Sequence, residues 1–581
     1  MSSKQKTQKK PKAAKEAQKQ TPRMTAPEFL ISIGRAMALL LIAGVASPIS
    51  QLNLSPVYGS IPASLHHQRT MTLTAVAALL VRRGLKSYVS VNVSQYIAVV
   101  AYWTPVIQFL LFQYSEKLGI EYGPFIVESL TYFPLLFLSV YGAMDFFDCF
   151  DLIGYQSSPL KEAIIPTASY FTISTVAKMS SALIPNFIGT SIYFTRIGMQ
   201  LLLASASAFL TPSRVIVFAF PAILHTLWAN PHHPSAHGFQ LANSTLQATQ
   251  NFTILARQES ITGYVSVIEN DADNAFRLLR CDHSLLGGEW LVTPDAYSKG
   301  QRQRESIFAV FVLLEAVRLV EPAVPSLPTL PDSEKSALVI GLGIGTAPNA
   351  MIAHGLNTTI VELDPVVHYY ATKYFNLSPK HTAVIDDATA YVARTSVSAP
   401  GSFDYIMHDV FTGGAEPVYL FTTEFMQGLY DLLKDDGVVA INYAGDLSLG
   451  STKLVLNTIH AIFPACRLFR DTPPREDHKE GDADFINMVV FCVKRDHELG
   501  KKAIRFRDAT AKDLLGSLAR NNFLQPREAL EVKYEFVREE EGGKVMGNKD
   551  VGALEKFHKD GAVSHWRIMR SVLPAGVWEM W

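Results

Sequence analysis

The chain has 581 residues, too many for one ordinary domain, and its 52 Lys and Arg are matched by 53 Asp and Glu. The formal charge of -1 sums over unlike parts, so it singles out no class of charged partner. The four cysteines, Cys149, Cys281, Cys466 and Cys492, form no CxxC pair; this excludes a zinc site or disulfide framework and leaves buried free thiols as the expectation.

Residues 1–25 carry Lys4, Lys6, Lys9, Lys10, Lys12, Lys15, Lys19 and Arg23 against Glu16 alone. They read as a basic, disordered cytosolic arm with no nucleic-acid partner, and not as a secretory signal. Residues 26–230 are apolar and poor in charge. A hydrocarbon core of ~30 Å takes about 20 apolar residues, which predicts six spans near 29–48, 94–114, 124–144, 163–187, 191–210 and 213–229. Membrane lipid is then a partner. Basic residues beside the first span hold that end in the cytosol, and an even count returns the C-terminal half there. Asp145, Asp148 and Asp151 share a helical face after the third span and read as a solvated helix end. Arg35, Lys178 and Arg196 lie within apolar stretches, where charge is costly.

Residues 231–250 are polar and read as a linker, with His232 and His233 solvated. Residues 251–330 change period. Apolar, β-branched runs at 253–257, 263–269 and 276–280, separated by turn residues, predict a small antiparallel β domain, followed by helical spacing over Ser306–Val320.

Residues 331–495 carry the chemistry. The buried strand Ser336–Ile340 runs into Gly341-Leu342-Gly343-Ile344-Gly345, and a helix follows. Glycines there let backbone N–H groups approach a ligand at a helix N-terminus. The next strand, 359–362, ends in Glu362, placed to accept ribose hydroxyls. A third, 382–385, ends in Asp386 and Asp387, where an acid accepts the adenine amino group. A fourth, 403–408, ends in Asp409. A glycine loop and acids at successive strand ends predict a doubly wound sheet with a nucleoside at its carboxyl edge. No metal is expected.

These residues resemble the spermidine synthase family, in its membrane-fused branch, whose fold is shared with class I methyltransferases. The resemblance runs from about Phe252 to Lys494. It includes the stretches Asp409–Thr422 and Leu432–Asn442 and a closing strand pair at 467–470 and 487–493. It implies a multi-pass helical membrane domain, a small antiparallel β domain and an α/β Rossmann-like domain. It assigns ribose to Glu362, adenine to Asp387, and the acceptor amine or transferred group to Asp409, with Tyr419 and Asn442 on the substrate side. The implied reaction is aminopropyl transfer from decarboxylated S-adenosylmethionine to a small amine, with a homodimer as an option. A carboxylate beside the amine would take its proton during attack.

The chain departs from the family pattern in two places. The second acid of the D-x-x-D loop is Thr412, leaving Glu416 as a substitute base. Where the family has Asp-Gly-x-x-Gln, this chain has Asp282-His283-Ser284-Leu285-Leu286. Two alternatives stay open: methyl transfer from S-adenosylmethionine, and a non-catalytic nucleoside- or polyamine-binding membrane protein. Residues 496–581 form a C-terminal extension whose tryptophans are expected to dock on the core, with no second active site.

Overall fold

A computed structural model describes the chain except residues 1–24, 86–91, 150–158, 271, 273, 323–329, 411–416, 464, 474–484, 495–503 and 535–542. The N-terminal half is helical: α1 (Ala26–Tyr58), α2 (Ser60–Ser64), α3 (His67–Leu85), α4 (Ile97–Phe112), α5 (Ser115–Leu130), α6 (Tyr132–Phe147), α7 (Pro159–Leu183), α8 (Arg196–Leu210) and α9 (Phe220–Trp228). Small residues let these helices approach closely. At Gly44 of α1, a Cβ would lie 2.8 Å from Val176 of α7. A buried polar cluster joins three of them: His67 bridges Ser47 at 2.7 Å and Glu128 at 2.7 Å.

Of the six expected spans, length and composition support three. Among the described residues, three stretches are long and apolar enough to cross a membrane: Ala26–Tyr58, Val93–Phe112 and Ser115–Phe147. The apolar helices Arg196–Leu210 and Arg214–Trp228 are shorter. Asp145 and Asp148 do not stand free, because both pair with Arg82 of α3; Asp151 lies outside the described residues. Lys178 is exposed, whereas Arg35 lies over the Phe146 ring at 5.9 Å.

The expected linker is instead a helix, α10 (Ala236–Gln250). Ser235 caps its start by accepting from the Gly238 N–H, and Asn251 ends it in the left-handed conformation. Its polar composition reflects an outward face, not an absence of structure. His232 is buried, stacked on Trp581 at 4.3 Å with Nε2 2.7 Å from the Glu579 carbonyl, so it is not a solvated linker residue.

A five-stranded antiparallel sheet follows in the order β1 (Phe252–Glu259), β2 (Tyr264–Asn270), β3 (Phe276–Cys281), β4 (Ser284–Trp290), β5 (Glu305–Ser306). Ser306–Val320 is mostly a short α-turn and 3-10 helix. The second sheet contains β6 (Ser336–Ile340), β7 (Asn357–Glu362), β8 (Thr382–Ile385), β9 (Phe403–His408), β10 (Leu433–Asp446), β11 (Ala465–Arg470) and β12 (Phe485–Val493). Its order is β11-β12-β10-β9-β6-β7-β8, parallel except for β12, which is antiparallel to both neighbours. This is the Rossmann-like, methyltransferase-type arrangement. Alternation along β6 sends Ala337 and Val339 into one core and Leu338 and Ile340 into the other. Helices α11 (Thr346–Ala353), α12 (Pro365–Tyr374), α13 (Ala388–Ser398), α14 (Thr423–Leu432) and α15 (Gly450–Ile462) complete this domain.

Two of the four cysteines are not free thiols. Register pairs Cys466 of β11 with Cys492 of β12, and the two form a disulfide; Cys149 and Cys281 are free and buried. The 26-residue separation conceals a contact that strand pairing creates.

The C-terminal residues weld the two halves. Helices α16 (His558–Val572) and α17 (Ala575–Glu579) pack between the β domain and the ends of α1 and α5. Arg280 of β3 donates to the Val577, Trp578 and Pro56 carbonyls at 2.6, 3.1 and 2.7 Å. Arg196 at the start of α8 is fully buried, pairing with Glu259 and, at 3.0 Å, with Asp282.

Candidate active site

Strand register builds the site. Ile340 of β6 lies beside Val361 of β7 and His408 of β9, so Gly341, Glu362 and Asp409 emerge at one level of the sheet edge. On the far side of β9, His408 pairs with Ile441, which brings Asn442 level with Asp409. These tips open into a cavity of about 750 Å³ lined by Gly341, Gly343, Glu362, Asp387, Asp409, Tyr419 and Asn442. The volume suits a nucleoside cofactor.

The glycine loop meets geometric demands that side chains would not. Gly341 has φ 82°, and a Cβ there would lie 2.0 Å from the Asp409 carbonyl oxygen. Gly343 has φ 53°, and its Cβ would lie 2.4 Å from the Leu286 carbonyl of the β domain. Gly345 starts α11 at φ 86° but does not line the cavity.

Glu362 is buried. Its two oxygens accept from the Leu342 N–H at 3.0 Å and the Asp364 N–H at 2.8 Å. Burial outweighs those bonds and pushes its carboxyl up to about 7. The carboxylate is thus fixed against the glycine loop, at the cavity wall, where ribose hydroxyls would donate to it. Asp409 accepts from Asn442 Nδ2 at 2.7 Å. Desolvation by its surroundings raises its carboxyl to about 6 against that bond.

Other sequence-expected residues sit differently. Asp387 borders the cavity, but one of its oxygens caps α13, accepting from the Thr389 N–H at 2.7 Å. Asp386 pairs with Arg394 at 2.5 Å and is not part of the lining. Thr412 and Glu416 lie outside the described residues.

Part of the cavity comes from elements that the sequence did not connect with it. The turn Tyr58–Pro62 between α1 and α2 lines it, as do His283 of the β3–β4 hairpin and α16 through Ala562, His565, Trp566, Ile568, Met569 and Val572. Their spacing of three and four along α16 is a sequence signal for one helical face.

A family model described as the spermine/spermidine synthase domain matches residues 323–469. The "N-terminal histidine N-methyltransferase" of Emericella nidulans is 43% identical over 552 residues, covering 94% of this chain and 96% of that enzyme. The chain belongs to the family of that enzyme. A polyamine aminopropyltransferase of Vibrio vulnificus is 36% identical over 109 residues, only 18% of this chain and 36% of its own. Among solved structures, a probable spermidine synthase from Corynebacterium glutamicum matches with a TM-score of 0.34 and 16% identity, over 48% of this chain and 98% of that one.

The chain is therefore a transferase, and the expectation of aminopropyl transfer is overturned. The Vibrio vulnificus aminopropyltransferase aligns with less than a fifth of the chain, whereas the relative spanning helices, both sheets and tail is a methyltransferase. Physically, the error came from the nucleoside site: a glycine loop and strand-end acids bind the adenosyl group shared by both donors and do not report which group leaves the sulfur.

Proposed function

We propose that this chain is an S-adenosylmethionine-dependent N-methyltransferase whose acceptor is a ring nitrogen of a histidine that begins a polypeptide. The full-length identity to the Emericella nidulans enzyme carries the N-terminal histidine, and the choice of a ring nitrogen rests on the acid at Asp409. The site fits the donor: Glu362 lies beside a glycine loop that lines the cavity with bare backbone, and Asp387 lies further along the same wall. When bound, the donor supplies a sulfonium methyl carbon; the acceptor nitrogen attacks it while the carbon–sulfur bond breaks and a neutral thioether leaves.

Asp409 has the position and acidity for the acceptor side. An imidazole carries one N–H and one lone pair. In the neutral imidazole Asp409 accepts from the N–H, which fixes the tautomer and turns the lone pair of the other nitrogen toward the donor. Methylation makes the ring cationic, and the N–H proton passes to Asp409. Its carboxyl, at about 6, lies near the ordinary imidazole value of about 6.5, so the transfer is not steeply uphill. Asn442 holds the carboxylate oriented throughout.

We also infer that α1, Val93–Phe112 and Ser115–Phe147, each long and apolar enough to cross, lie in a membrane. From a cytosolic basic arm, α1 crosses to the end at which Val57 meets the catalytic half through Trp566 and Arg570, which puts that half on the opposite side. The Cys466–Cys492 disulfide favours that oxidising side over the cytosolic placement expected above.

The test uses the full chain in detergent, S-adenosylmethionine with a labelled methyl group, and a peptide beginning with histidine. Mass spectrometry should find one methyl group on the first residue. Transfer to an internal histidine instead, or to none, would refute the reading.

A further inference from the structure

The acceptor side of the cavity has a second wall that belongs to neither sheet. Helix α16 packs against the Tyr58–Pro62 turn and presents Ile568 and Val572, 38% and 47% exposed, among the lining residues. Exposed aliphatic side chains beside a catalytic cavity have unspent contact area. The helix beneath them is anchored. Trp566 Nε1 donates to the Val57 carbonyl at 3.1 Å, and Arg570 donates to the same carbonyl at 3.1 Å. Arg570 also donates to Ser115 Oγ at 2.9 Å and to His283 Nε2 at 3.1 Å. One arginine therefore sets α16 against α1, α5 and the β3–β4 hairpin.

The two histidines of this wall offer a ligand no charge. Burial lowers His565 to about 4 and His283 well below its ordinary value, so both are neutral near pH 7. Among the described residues, the carboxylates that line the cavity are Glu362, Asp387 and Asp409 at the sheet edge and Asp282, which pairs with Arg196.

We propose that Ile568 and Val572 are specificity-determining residues: the acceptor polypeptide, its first residue at Asp409, runs along the exposed side of α16, which reads its second and third residues as uncharged side chains. The inference rests on the methyltransferase reading and deepens it. A free histidine would fill only the Asp409 end. A polypeptide must continue from that end, and the wall continuous with the cavity is apolar, rigid and shared by both halves of the chain.

The test compares two acceptors, histidine amide and a hexapeptide that begins with histidine and has apolar second and third residues. The full-length chain and the variants Ile568→Arg and Val572→Arg are assayed with each, and binding of S-adenosylhomocysteine reports the integrity of the fold. Ile568→Ser and Val572→Ser repeat the test with little added bulk. The expected result is a KM for the hexapeptide raised about tenfold or more. Donor affinity and kcat/KM for histidine amide should be unchanged, and Ile568→Leu should restore the hexapeptide KM. An unchanged hexapeptide KM, or equal losses with both acceptors, overturns the wall. Absence of transfer to either acceptor by the unmodified chain overturns the methyltransferase reading itself.

Discussion

Replacing Asp409 with Asn should stop turnover and make the protein more stable. Desolvation lifts the Asp409 carboxyl from its ordinary 3.8 to about 6. Folding therefore favours the protonated form. Its stabilising contribution is full below pH 3.8 and is lost as pH rises through 6. Above that, the buried charge costs at most about 3 kcal/mol, less whatever cavity water recovers. Asparagine carries no such charge and can still accept from Asn442. Without donor present, Asp409→Asn should raise the thermal midpoint at pH 8, and the gain should fade as pH falls from 6 towards 4. Turnover should fall by about 10²–10⁴, the usual contribution of a positioned base. Donor affinity, measured by calorimetry, should change little. Turnover near the unmodified rate would remove Asp409 as the proton acceptor. A lower midpoint at pH 8 would show that the carboxylate is satisfied in the fold, contrary to the desolvation argument.

Glu362→Gln should weaken S-adenosylhomocysteine binding by about tenfold or more, since a charged acceptor for two hydroxyls is lost. In the unmodified chain, binding should weaken between pH 8 and pH 6 as Glu362, raised to about 7, takes up a proton; pH-independent binding would exclude Glu362 from ribose. Gly343→Ala should abolish donor binding while leaving the helical half assembled, because the new methyl meets the Leu286 carbonyl; unaltered calorimetry would refute that. Arg196→Met should destabilise by about 3–5 kcal/mol by leaving Glu259 buried without its partner, read as a lower denaturation midpoint. Digestion without reductant should yield a peptide pair joined through Cys466 and Cys492 that separates when reduced, and two unlinked peptides would contradict the pairing.

The nucleoside half of the site was legible because its signals are local. Gly341 and Gly343 follow a buried strand directly, and Glu362 and Asp409 end strands whose apolar runs stand out in the sequence. Asp386 and Asp387 were less separable, since a strand-end acid and a helix cap share one signature; one faces Arg394, and the other caps α13 at the cavity's border. The rest depends on distant pairings. Cys466 and Cys492 meet only through strand register. Arg196 looked like a charge stranded in an apolar run until Glu259 and Asp282 approached it from the β domain. The role of α16 was hidden because its apolar face has no chemical motif, and only the packing against Val57 and His283 brings it to the cavity. The helical half was less legible, since apolar composition persists through α8 and α9, which are shorter than the three candidate spans among the described residues.

The seam at Gly341 has a mechanical consequence. With no side chain there, the backbone that receives the nucleoside and the backbone that carries Asp409 touch, and the Asp409 N–H is bonded to the Ile340 carbonyl at 2.8 Å. Donor and acceptor are thus gauged against a single rigid edge. In the proposed reaction their separation is set by the fold before either arrives.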